Sequence, residues 1–421
     1  AGIAAAETIR SLDRNAAITL LSGDPFPVTM RRLVAAPLCP RQWHADEKPV
    51  FRGNDFFSRF DITTRSGVGV SSIDPARRLV HLAGGADLPW DRLLLACGNV
   101  SVLPEIAGLE KCSFVRYASR PSDFTDLVLE SGRDRGAVIF GSGYLAVKAA
   151  EAIAGASGGV SLVHPEGDVF SIIPDAEVRS LAAGALAAGG VELVPGERIA
   201  EVSVISDTSC GAVTLSGGRN IPYGLLVIIP DVRPEVRLAQ AAGLTLNRGV
   251  VVNGRMETSA EGIYAAGECA AVSYANRGSS PERISMPCPD AVRQGRAAAM
   301  QMVASAAKKE IQVSVQPHTS GTVLVALDFF RLQINSCGIV NPPADSSWEI
   351  RTDTGGSTAR KPIYRKFVMK GGRLAGFILV NAPERCGYLK NLIDRRVLLS
   401  EVPGALSAGA PYSLVTSHGR A

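Results

Sequence analysis

Residues 137–153, AVIFGSGYLAVKAAEAI, limit what this chain can fold into more than any other stretch. The apolar run Ala137–Phe140 predicts a buried parallel strand, and Gly141-Ser142-Gly143 predicts a tight turn. A proline-free run of helix formers follows. Strand, glycine turn and helix together aim free backbone N–H groups and a positive helix end at a dinucleotide pyrophosphate. Ala146 holds the third position of the fingerprint, where a small residue lets helix and strand pack closely. A buried turn of purely structural purpose would also want glycine, so both readings stand on these residues alone.

The opening residues repeat part of this pattern. Ala1–Arg10 reads as a helix with Ile3, Ala6 and Ile9 along one side, followed by a strand over Ala17–Leu21 and then Ser22-Gly23-Asp24. An acid roughly 20 residues past a glycine turn is what a first βαβ unit uses to hold a ribose hydroxyl. Gly2 is therefore expected to be the last glycine of a second fingerprint whose strand and first two glycines lie upstream, with any targeting segment beyond them.

Elsewhere the reading is of short elements. Strands are expected over Gly67–Ile73, Leu79–Leu82 and Arg92–Leu95, with a hairpin turn at Gly84-Gly85. After Gly159–Val163, which ends at His164-Pro165, a helix is expected at Ala176–Ala188. Strands follow at Glu192–Pro195, Ile199–Ile205, Ala212–Ser216 and Leu225–Ile229. Gly262–Ala270 reads as a buried strand ending in glycine and an acid, and Pro287–Val303 as an alanine-rich helix. Beyond about Glu310 the pattern changes to an α+β domain. Its strands are Thr322–Leu327, Ile363–Met369 and Arg373–Val380, with a loose polar loop at Asn341–Lys361 and a helix near Tyr388–Leu399.

Composition excludes several function classes. A net charge of +4 over 421 residues gives no reason to expect nucleic acid, and no apolar run is long enough to span a membrane. Eight cysteines, at 39, 97, 112, 210, 269, 288, 337 and 386, include no C-x-x-C and no close pair. That argues against an iron–sulfur cluster or structural zinc carried by this chain, and for a reducing, cytoplasmic setting.

Taken in order, the partial fingerprint, Ala96-Cys97-Gly98, the 141–146 turn and Tyr264-Ala265-Ala266-Gly267-Glu268 resemble the FAD-dependent pyridine nucleotide–disulfide oxidoreductase superfamily. Within it they are most similar to the NADH-oxidising half of assimilatory nitrite reductases and to rubredoxin reductases. The stretches Ile363–Phe367 and Gly376–Val380 are similar to the domain that follows in those proteins. The resemblance implies an α/β fold of two interleaved three-layer ββα domains plus a C-terminal α+β domain. FAD would be bound by 1–112 and 240–310, a nicotinamide dinucleotide by 113–239, and 311–421 would form a cap or interface.

Carried over by position, the resemblance makes Gly2 a pyrophosphate glycine, Asp24 the ribose acceptor and Arg31 a cation along the FAD. Val70 would meet adenine through its backbone, and Cys97-Gly98 would stand at the crossing between domains. Gly267 and Glu268 would hold the flavin ribityl and pyrophosphate, while Asp290 and Ala291 would start a helix whose positive end faces the flavin. Gly141, Gly143, Tyr144 and Leu145 would line the second nucleotide site.

That second site departs from the family. Lys148 stands where a glutamate is usual, and His164 where an acid usually holds the NAD ribose. Lysine only donates, and loss of the ribose acid removes a bond worth ~1.5–3 kcal/mol. Lys148 carries two expectations: a stem that packs while its head reaches water, or an ammonium near the flavin with a catalytic role. Cys39, Cys97, Cys269 and Cys288 read as small buried hydrophobes. The activity implied is an FAD-dependent oxidoreductase passing electrons between NAD(P)H and a carrier protein or small acceptor, in an oligomer or complex. Two alternatives stay open: an FAD electron-transfer subunit with a degenerate nicotinamide site, and a scaffold that has lost its flavin.

Overall fold

The computed structural model describes residues 1–23, 55–112, 115–117, 136–155, 158–165, 175–206, 210–272, 288–306, 322, 324–358 and 361–407. Asp24, Arg31 and Cys39 lie outside them, as do the side chains of Cys288 and Pro289. The described chain is α/β and divides into two compact units, one from residues within 1–103 and 231–306, the other from 104–230 and 322–407.

In the first unit the helix Gly2–Leu12 packs along the helix Cys288–Ala306. Small residues are buried on both helices, Ala4, Ala5 and Ala6 on one and Ala297, Ala298 and Ala299 on the other, and Ala6 packs on Phe56 and Ile62. Arg10 closes the far end of the first helix, donating to the carbonyls of Phe60 and Asp61, each at 2.8 Å. Parallel pairs join Ile18–Ser22 to Ile62–Ser66, Leu93–Leu95 to Ile263–Ala265, and Val250–Val252 to Ala270–Val272. Parallel strands need both faces covered, and Ile263, Tyr264 and Ala265 are accordingly buried. Val70–Asp74, Leu79–Leu82 and Asp87–Pro89 form an antiparallel meander whose second turn includes Gly85 at φ +84°.

The second unit contains a wholly parallel sheet in the order Val191–Pro195, Val160–His164, Ala137–Phe140, Leu225–Ile228 and Val115–Tyr117. One face, with Ala137 and Ile139, takes the helices Gly143–Ala154 and Ala176–Ala188. The other, with Val138, Phe140, Leu226 and Ile228, takes the antiparallel strands Ile199–Ser206, Cys210–Leu215 and Asn220–Tyr223. Alternation of side chains along Ala137–Phe140 thus feeds two cores, which explains a strand with no polar residue.

The C-terminal residues form an antiparallel sheet in the order Leu324–Phe329, Leu332–Gly338, Arg373–Val380, Tyr364–Lys370 and Trp348–Asp353. Ile334, Tyr364, Ile378 and Val380 on one face share a core with the 143–154 and 176–188 helices. Phe367, Met369, Phe377 and Leu379 on the other pack on the helix Cys386–Asp394.

Two sequence expectations are corrected here. Asn341–Lys361 is not simply a loop, because Trp348–Asp353 forms a strand along Tyr364–Lys370. Its residues are mostly exposed, so the hydrophobic alternation that marks a strand is nearly absent. The strand Leu332–Gly338 was also unforeseen; it returns from Leu324–Phe329 through Phe330 and Arg331, both at positive φ. Such a turn normally advertises itself with Asn or Gly.

Candidate functional site

Four segments separated in sequence meet in the first unit. A Cβ placed on Gly267 would lie 3.2 Å from the Cβ of Ala1 and 3.7 Å from that of Ala291. Gly267 itself has φ +85°, a conformation glycine adopts without penalty. A Cβ on Gly295 would fall 2.3 Å from the Ala1 carbonyl oxygen, and one on Gly2 would touch Ala96 at 3.5 Å. The start of the first helix, the 96–98 turn, Gly267 and the start of the 288–306 helix therefore occupy one small region. The structure brings together Gly2, Cys97, Gly98, Gly267, Glu268, Asp290 and Ala291.

The polar groups of this region are held in place. Gln294, fully buried, accepts from the Gly267 N–H at 2.7 Å and donates to Asp290 Oδ2 at 3.3 Å. Asp290 is 3% exposed and sits in the first turn of its helix, where the helix dipole favours a carboxylate. Glu268 is half-buried. The first helix has no side-chain cap at Ala1, so its leading N–H groups are not satisfied by a capping side chain. Gly98, at φ +73°, faces open space and its carbonyl accepts from the Glu235 N–H at 2.9 Å.

Cys97 is half-buried, and that burial, reinforced by Cys269 and Glu235, pushes its thiol up to about 12. Cys269 is buried and also raised by desolvation; its Sγ lies 3.4 Å from the Leu95 carbonyl. Thiols shifted this way are inert at neutral pH. Val70 opens its strand opposite Leu82 and packs on the same core as Ala1, Cys97 and Ala266.

The second unit presents the fingerprint turn. Gly141 has φ +148°, and a Cβ there would strike Ile229 at 2.6 Å, so packing alone demands glycine. Gly143 differs. It has φ +77° and nothing lies within 4 Å of an added Cβ. Ser142, at the helix cap, makes no side-chain cap bond, whereas Asp175 at the next helix accepts from the Val178 N–H at 3.1 Å. The 143–154 helix thus offers an uncapped N-terminus beside an open glycine, the arrangement an anion needs.

Other residues named from sequence are engaged elsewhere. The Tyr144 hydroxyl donates to Asp328 Oδ1 at 3.0 Å, and Leu145 packs into the core shared with the C-terminal sheet. His164 is buried at the end of its strand, opposite Pro195. Lys148 does not send its head to water: its side chain is 3% exposed and pairs with Glu151 Oε2 at 2.5 Å. Glu151 Oε1 in turn accepts from the Phe330 N–H, also at 2.5 Å. Lys148 and Glu151 thereby tie the helix to the positive-φ turn that sequence reading missed.

Gln294 and Gly295 were not singled out from sequence. Both carried a signal: a polar residue four after Asp290, and a glycine inside an alanine-rich helix.

Comparison with known proteins adds to this geometry. The profile of a family described as "Pyridine nucleotide-disulphide oxidoreductase" matches residues 1–295. The epsilon subunit of an NADH-dependent phenylglyoxylate dehydrogenase from Aromatoleum evansii is 26% identical over 407 residues, covering 95% of this chain and 90% of that protein. A nitrite reductase [NAD(P)H] of Bacillus subtilis is 24% identical across 95% of this chain, which spans 47% of that protein's length. Among solved structures, a covalent putidaredoxin reductase–putidaredoxin complex superposes with a TM-score of 0.77 at 22% identity. The match covers 94% of this chain and 91% of that one.

Proposed function

The chain belongs to the pyridine nucleotide-disulphide oxidoreductase family, and from that premise we propose that it is a flavoprotein which takes electrons from NAD(P)H and passes them to a carrier protein or small redox acceptor. The observation that carries the reading is the meeting of Ala1, Gly267 and Ala291 around a glycine at φ +85°, where an added Cβ would lie a tight 3.2 Å from Ala1. A purely structural glycine turn would not require an uncapped helix start to converge on a half-buried acid and a second helix start.

The residues fit an FAD. The uncapped N–H groups at Gly2 would hold its pyrophosphate, and the Gly267 backbone would let the cofactor approach closely. Glu268 would accept from ribityl hydroxyls, as Asp24 would from the adenosine ribose, with Arg31 supplying a cation along the pyrophosphate. Asp290 and Gln294 fix the orientation of the Gly267 peptide, and the N–H groups near Ala291 would face the flavin. Cys97-Gly98 contribute backbone, and Val70 would contribute the same to adenine. When bound, the flavin supplies two-electron and one-electron chemistry that none of these side chains can perform. The protein's part is position and field.

In the second unit the open side of Gly143 and the bare helix end at Ser142 would receive the pyrophosphate of a nicotinamide dinucleotide. Gly141, Tyr144 and Leu145 would support that turn from behind rather than touch the ligand. His164, a buried imidazole where the family has an acid, would grip the ribose less well, which predicts weak discrimination between NADH and NADPH. We place the flavin module in the first unit and the nicotinamide module in residues 137–229.

A second reading is that the chain is the FAD subunit of a larger redox complex. It is favoured by the relative named as a dehydrogenase subunit and by Lys148, committed to Glu151 rather than to a ligand. Anaerobic titration of the flavin-loaded protein with NADH and NADPH separates the two. Bleaching of the flavin absorbance at near-stoichiometric nucleotide supports direct reduction. Unchanged absorbance, with reduction by dithionite intact, supports the subunit reading.

A further inference from the structure

We propose that Arg293 sets the redox potential of the bound flavin, as a positioning residue that acts through the buried carboxylate of Asp290. The inference rests on the FAD reading above. Asp290, Arg293 and Gln294 stand at i, i+3 and i+4 in the 288–306 helix, so both later side chains can reach the first. The structure makes both contacts. Gln294 Nε2 donates to Asp290 Oδ2 at 3.3 Å, and Arg293 Nη2 faces Asp290 Oδ1 at 3.5 Å. Gln294 also accepts from the Gly267 N–H, so the carboxylate is one link away from the glycine at the centre of the site. Arg296, three residues further along the helix, is exposed. The Arg293 side chain is instead 32% exposed, and its Nε is buried with no acceptor among the described residues.

An ordinary i,i+3 pair on a helix surface does little, because water screens both charges. Asp290 is 3% exposed, and a carboxylate taken so far from water keeps its charge only against donors and an opposite charge. That charge lies at the start of the helix whose N–H groups near Ala291 would face the flavin, where negative charge grows on reduction. Asp290 alone would subtract from the field of those N–H groups and disfavour the reduced flavin. Glu268, half-buried in the same region, adds a second carboxylate. The Arg293 guanidinium offsets them. Its contact with Asp290 is a long single approach with Nε–H to spare, not a closed bidentate fork, so its charge is felt beyond the pair.

The test is the midpoint potential of the flavin-loaded full chain, measured by equilibration with reference dyes, beside oxidised-FAD affinity from fluorescence. Arg293→Gln should lower the preference for reduced over oxidised flavin about tenfold, a shift of about 30 mV downward for a two-electron couple. Arg293→Lys keeps the charge and should stay within about threefold of wild type. Asp290→Asn should raise the potential, and the double variant D290N/R293Q should return close to wild type, because neither charge remains. Flavin bound by R293Q at an unmoved potential overturns the inference, as does R293K lowered as far as R293Q, or a double variant no nearer wild type than R293Q. If R293Q does not fold, D290N decides alone: a potential unchanged or lowered there also overturns it. A wild type that takes up no FAD overturns the flavin reading and this inference with it, whereas an unmoved potential in a flavin-loaded R293Q overturns this inference only.

Discussion

Replacing Gly295 by alanine tests the convergence at the flavin site through a change of a single methyl group. Glycine in a helix interior is disfavoured by roughly 0.5–1 kcal/mol relative to alanine, so propensity alone makes Gly295→Ala stabilising. Packing argues the opposite. The new Cβ would sit 2.3 Å from the Ala1 carbonyl oxygen and 2.9 Å from its carbonyl carbon and Cα. These are backbone atoms that cannot rotate aside, so the two helices must separate locally by about 1 Å to restore ordinary contact. Overpacking of this kind costs about 1–3 kcal/mol. If the protein relieves it by moving the first helix off Gly267, FAD affinity falls by about 5- to 150-fold. The assay is titration of apoprotein with FAD, read by flavin fluorescence, beside a thermal melt without flavin. Gly184→Ala is the control, because Gly184 lies in the Ala176–Ala188 helix with nothing within 4 Å of its added Cβ. It should raise stability and leave FAD binding alone. A Gly295→Ala protein that melts higher and binds FAD as wild type does would refute the reasoning.

The two fingerprint glycines should separate packing from binding. Gly141→Ala strikes Ile229 and should destabilise strongly in urea denaturation, while Gly143→Ala should cost about 1 kcal/mol of backbone strain yet weaken nucleotide binding measurably by calorimetry. Equal effects of the two on stability would count against the open-face argument. Asp175 accepts from Lys366 Nζ at 2.7 Å in a buried pair and also caps its helix. Asp175→Ala should therefore cost about 3–5 kcal/mol in denaturant unfolding, a loss that an effect under about 1 kcal/mol would contradict. Cys97, its thiol pushed up to about 12 by burial, should react with iodoacetamide at pH 8 roughly a thousandfold more slowly than a free cysteine. The protonated form is the one burial favours, so labelling should accelerate as pH rises; rapid labelling at pH 8, followed by peptide mass spectrometry, would show the site is open.

Much of the fold was readable because parallel strands buried on both faces leave unmistakable apolar runs. Ala137–Phe140 and Leu225–Ile228 formed as expected, whereas the strand expected over Gly262–Ala270 is confined to Ile263–Ala265, with a second strand starting at Ala270. The helix at 176–188 was readable from the same kind of pattern. What failed to show was structure whose cause is tertiary. Trp348–Asp353 is a strand because Tyr364–Lys370 offers it an edge, and its own side chains are solvated. The turn at Phe330-Arg331 holds positive φ partly through Glu151, a residue 179 positions away. At the site, glycines could be named but not sorted. Gly141 and Gly143 look alike in sequence, and only the distance to Ile229 tells a packing glycine from one that faces open space. Of the two expectations for Lys148, the one that sends its head to water fails for a related reason. A helix position facing a core reads as a snorkelling lysine until its buried partner is known.

The central claim is that the first helix and the Gly267–Ala291 region grip a single flavin dinucleotide. Photolabelling with an azido-substituted FAD, followed by peptide mapping, tests it most directly. The account predicts saturation at one flavin per chain, with label in peptides from both 1–12 and 263–296, and with both blocked together by unmodified FAD. Label confined to one of these segments, or no saturable binding, would contradict it.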